Sequence, residues 1–145
     1  MDTASARRSL WIALGGLLLG ILGVGWDRLW HSRHAGGQLS GASELLEAHW
    51  LMILGVVITL VALVTAVRSV RRPRSAVVGT WIALVGSVLM VVGFGWDSGR
   101  HIQGTESPTA HAMIYAGLLS VVIGLPAALA FWRDPIARPG AKGTD

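Results

Sequence analysis

Four stretches of this chain, about 9–26, 48–67, 75–96 and 107–132, contain no Asp, Glu, Lys or Arg. Each approaches or exceeds the ~20 residues that a helix needs to cross a hydrocarbon core of ~30 Å. Lipid offers no partner for backbone polar groups, so a spanning segment must be a helix or a strand of a closed barrel. The runs are continuous rather than alternating and rich in Leu, Ala and Gly, which selects helices. The chain is therefore expected to be an all-α integral membrane protein. Its 145 residues would form a single transmembrane domain, a bundle of four transmembrane helices.

The first and third runs are copies of one another. Residues 11–31 and 81–101 share 11 identities in 21 positions without a gap, among them Gly16/Gly86, Gly23/Gly93, Trp26/Trp96, Asp27/Asp97 and His31/His101. After a loop eight residues shorter in the second copy the match resumes, pairing Glu44 with Glu106, His49 with His111 and Gly55 with Gly117. This predicts two tandem, parallel two-helix repeats, about 9–67 and 75–132. Arg7-Arg8 before an apolar run has the look of a secretory leader, but the same segment recurs inside the chain, so a retained helix is expected.

Net charge is +4, and the placement of the charges argues against nucleic acid as a partner. Nine of the twelve Lys and Arg flank one side of the runs: Arg7, Arg8, Arg68, Arg71, Arg72, Arg74, Arg133, Arg138 and Lys142. The positive-inside rule makes that side and both termini cytoplasmic, in a bacterial-type inner or plasma membrane. Trp11, Trp81 and Trp132 would mark the inner interface, and Trp26, Trp30, Trp50 and Trp96 the outer one. All five histidines and five of the eight acids then fall on the outer side.

Asp27 and His31, like Asp97 and His101, are four residues apart and share a face if the helix continues past the membrane edge. At 100° per residue, Gly16, Gly23 and Asp27 lie within about 20° of one line, and Gly86, Gly93 and Asp97 repeat the spacing. Small residues mark close helix contacts in membranes, so each Asp-His pair should face the bundle interior. His49 and His111, in the first turns of helices 2 and 4, should stand beside their own pairs, giving two clusters more readily than one merged centre. Asp27, His31 and His49, and Asp97, His101 and His111, are thus candidate metal ligands. Glu44 and Glu106 are weaker candidates, since after Ser43 and Thr105 they also suit helix capping. His34 has no counterpart in the second repeat and reads as a solvated loop residue. Two imidazoles and a carboxylate suit copper or iron first and zinc next, and leave coordination positions open. There is no cysteine, which excludes thiolate sites and disulfides.

The order Asp-x-x-x-His on one helix, then His near the start of the next, resembles the copper site in the C subunit of the membrane-bound methane and ammonia monooxygenases. The likeness covers about 25 residues of each repeat. It implies copper held on the outer side by Asp27, His31 and His49 or by Asp97, His101 and His111. The chain departs from that pattern in having four helices, a duplicated motif and unequal spacings to its last His, with 17 and 9 intervening residues.

The sequence reading is a small membrane metalloprotein, an oxidoreductase or a subunit of one. Its alternatives are a b-type haem electron carrier, with two His on the iron, and a non-catalytic structural or assembly subunit. Beyond the lipid bilayer, the expected partners are other membrane subunits or further copies of the chain.

Overall fold

The computed structural model describes residues 3–34, 42–69, 74–105 and 107–131. Helix α1 spans Thr3–Arg33, α2 Ala42–Ser69, α3 Arg74–Ile102 and α4 Pro108–Phe131. Each is long and apolar enough to cross a membrane, and no strand occurs among the described residues. With 31 and 29 residues, α1 and α3 exceed what a ~30 Å core requires. Part of the surplus is the extra turns at the C-terminal ends that carry Asp27 to Arg33 and Asp97 to Ile102.

Helices α1 and α2 pack into one hairpin and α3 and α4 into another. Small residues line both seams. A side chain on Gly55 would collide with the backbone of Gly20, and one on Gly86 would stand 2.6 Å from the Gly117 carbonyl oxygen. Gly16 and Gly23 meet Thr59 and Met52, and Gly93 meets Ala110 and Ile114, so the glycine line of the sequence is a helix-packing face in both repeats. The hairpins join chiefly through α2 and α3, and α1 and α4 touch most sparsely. Leu10, Leu63, Val121 and Leu125 are fully buried between the helices, while Leu22, Val61, Val85, Leu119 and Ile123 project outward as a lipid-facing surface would.

The turn from α3 to α4 is tightly specified. Gly104 has φ +68°, the left-handed conformation that glycine adopts without steric cost. The Thr105 N–H then donates to the Arg100 carbonyl at 3.0 Å and the Gly104 N–H to the His101 carbonyl at 2.9 Å, the paired bonds of a Schellman stop. Ser107 caps α4, its Oγ accepting from the Ala110 N–H at 3.3 Å, and Pro108 opens the helix where no N–H is needed.

Two expectations change. Trp30 is no interfacial belt residue: it is 6% exposed, and its indole stacks on His34 with centroids 4.0 Å apart. His34 in turn is exposed but not loose, its Nδ1 lying 2.9 Å from the Trp30 carbonyl oxygen. The spacing of the α1 end explains both, because the helix runs far enough to place residues 30 and 34 on one face. Trp11, Trp50, Trp81 and Trp96 are exposed as expected, and Trp132 lies outside the described residues.

Candidate metal centre

The continuation of α1 past its apolar run brings Asp27 and His31 onto one face, and the α1–α2 seam at Gly23 and Met52 sets His49 beside them. Asp27 Oδ1 lies 3.2 Å from His31 Nε2 and 3.2 Å from His49 Nε2. One donor atom from each of the three residues falls within 4.8 Å of the other two. Asp27 Oδ1 is nevertheless buried without a hydrogen bond, although two imidazole nitrogens face it. Donor atoms around one ion with bonds of about 2.0–2.2 Å stand roughly 3–3.5 Å apart, from octahedral to tetrahedral geometry. The two separations from Asp27 Oδ1 have that spacing, and the three residues together could hold one ion.

His49 is oriented from behind. Its Nδ1 lies 2.8 Å from the Leu45 carbonyl oxygen, one turn earlier on α2. With Nδ1–H donating there, the Nε2 lone pair is left facing Asp27. His31 is braced by the edge of Trp30, with ring centroids 5.1 Å apart. The buried Trp30 is thus part of the site's support. Sequence reasoning missed this because tryptophan near a membrane edge ordinarily reads as an interface anchor.

The second repeat brings together the corresponding residues in a looser arrangement. His101 Nδ1 approaches Asp97 Oδ2 at 3.4 Å, and His111 Nε2 approaches the other oxygen, Oδ1, also at 3.4 Å. His101 Nδ1 also lies 3.1 Å from the Asp97 backbone carbonyl, which holds that nitrogen as a donor to its own helix. The two imidazoles therefore address different carboxylate oxygens, and a shared ion would need a side chain to turn. Asp97 Oδ1, like Asp27 Oδ1, is buried without a hydrogen bond.

Glu44 sits in the first turn of α2 and is not among the three converging ligands. This fits the 140° that five helical residues put between it and His49. Glu106 lies outside the described residues.

The two clusters belong to separate hairpins but line one cavity of about 260 Å³. Below Asp27 and Asp97 its walls are apolar, with Leu17, Met52, Val56, Met90, Phe94 and Leu118 among them, and Thr59 and Ser87 line it deeper in the bundle. Periodicity places residues on faces; the space left between two hairpins is a matter of how they dock, and no sequence signal announces it.

Comparison with family models, with curated proteins and with solved structures gives no match.

Proposed function

We propose that this chain is an integral membrane metalloprotein that holds a transition-metal ion, copper or iron foremost, between Asp27, His31 and His49. The observation that carries the reading is the buried Asp27 Oδ1, 3.2 Å from two imidazole nitrogens and hydrogen-bonded to neither. A bound cation supplies the missing partner for that oxygen. Asp97, His101 and His111 form the second, weaker half-site.

Three protein ligands leave coordination positions free for a small molecule, and copper or iron there would supply redox chemistry. The chain's own contribution is to fix the ligands. The Leu45 carbonyl holds the His49 tautomer, Trp30 steadies His31, and the helix bundle buries Asp27 Oδ1. The haem alternative fares worse, because Asp27 Oδ1 stands close to both Nε2 atoms where a porphyrin plane would have to pass. With both termini cytoplasmic by the charge asymmetry, the site faces the extracytoplasmic side.

Metal analysis and an absorption spectrum of the purified protein test the reading. Copper or iron near stoichiometry without a Soret band is expected. A Soret band would transfer the site to haem, and protein free of both would leave the structural-subunit reading.

A further inference from the structure

The cavity beneath the two clusters reaches the side of the bundle. Of the residues that line it, those exposed on the outside of the bundle are Ile21 and Val24 on α1 and Tyr115 on α4. The lining residues of α2 and α3 are buried or half-buried over the same depth, Met52 and Met90 at 6% and 9% exposure. The opening therefore lies along the α1–α4 seam, the sparsest of the helix contacts, and it is flanked by apolar side chains below the membrane edge. What enters there comes from the bilayer.

The shape narrows the choice of occupant. Ser87 lines the inner part and Asp97, ten residues along the same helix, the outer end, so the cavity is roughly 15 Å long. A volume of about 260 Å³ over such a length suits one extended chain. The walls are aliphatic, methionine and phenylalanine side chains, and charged groups occur only at the outer end. Ser87, 1% exposed, lines the inner end.

We propose that the cavity binds a single-chain amphiphile from the surrounding lipid. Its oxygen-bearing head group, a carboxylate, alcohol or aldehyde, lies at the Asp/His end, and its alkyl chain runs inward toward Ser87. The placement of the head beside a metal rests on the metalloprotein reading; the chain-binding cavity does not.

Binding of radiolabelled saturated fatty acids to the protein in lipid nanodiscs, corrected with empty nanodiscs, tests this. Saturable binding of one molecule per chain is expected. Affinity, referred to the free concentration in water, should rise roughly fourfold per added methylene until the chain reaches about the length of dodecanoate, then stop rising. Ser87→Leu, which fills the inner end about 15 Å from the ligand set, should weaken dodecanoate binding at least tenfold while metal content stays unchanged. Stripping the metal should weaken binding and leave the chain-length limit where it was. Uptake that grows without limit in step with empty nanodiscs would overturn the proposal. So would a folded Ser87→Leu protein that binds dodecanoate as the parent does, or a tightly held phospholipid that dodecanoate cannot displace. Protein that carries no metal as purified and takes none up when copper or iron is added, yet shows the length limit, would overturn the metal reading alone.

Discussion

Asp27 Oδ1 on α1 lies 3.2 Å from Nε2 of His49 on α2, and the two do not form a hydrogen bond. The pair joins residues 22 positions apart across the seam where Gly23 lets the helices close. It is the link that adds a third residue to the Asp-x-x-x-His helix end, completing a group that could hold a metal ion. The corresponding link in the second repeat, Asp97 to His111, is 3.4 Å.

The imidazoles of the second cluster face different oxygens of Asp97, whereas both of the first face Asp27 Oδ1, so unequal metal affinities are expected. In a titration of metal-free protein, His49→Ala should remove the tighter phase, and His111→Ala should spare it. The loss at the first site should be tenfold to a hundredfold or more, since a three-ligand site rarely keeps its ion after losing one ligand. Equal losses from both variants would mean equivalent sites, and a single phase abolished by either would mean one merged centre.

The seams should tolerate no bulk. Gly55→Leu or Gly86→Leu places a side chain against the backbone of the facing helix, whereas Val61→Leu adds a methylene on an exposed face. The glycine variants should lose about 1–3 kcal/mol or more, read as a lower unfolding temperature in detergent, and Val61→Leu almost nothing. Equal stability of all three would refute the packing.

The α3–α4 turn should depend on its left-handed residue. Gly104→Ala, at φ +68°, should cost about 1–2 kcal/mol and loosen the approach of His101 to His111. Thermal unfolding with and without metal would show it. An unchanged transition would contradict the stop described for α3.

The chain has no cysteine, so single-cysteine labelling is free of background. Val70→Cys should be reached only from the cytoplasmic side and Gln103→Cys only from outside. The opposite pattern would place the site in the cytoplasm.

The four helices were legible because charge-free runs of membrane length have so few alternatives. The approach of His49 to Asp27 and of His111 to Asp97 was legible through the repeat: shared glycines fix the packing faces, and the short connections fix the partners. The different geometry of the second cluster was not. It depends on which imidazole nitrogen turns inward, and for His101 that is decided by a bond to the Asp97 carbonyl rather than by residue type. The burial of Trp30 depended on how far α1 continues, and Ser87 gained meaning only once two hairpins left a cavity between them.

X-ray absorption at the metal edge of the purified protein tests the central claim most directly, read alongside the Asp27→Asn and His49→Ala variants. The account predicts an ion bound by two imidazole nitrogens and a carboxylate oxygen at about 2.0–2.2 Å, with one imidazole lost in His49→Ala and weakened retention in Asp27→Asn. A metal whose ligand shell is the same in both variants, or protein that retains no metal, would contradict it.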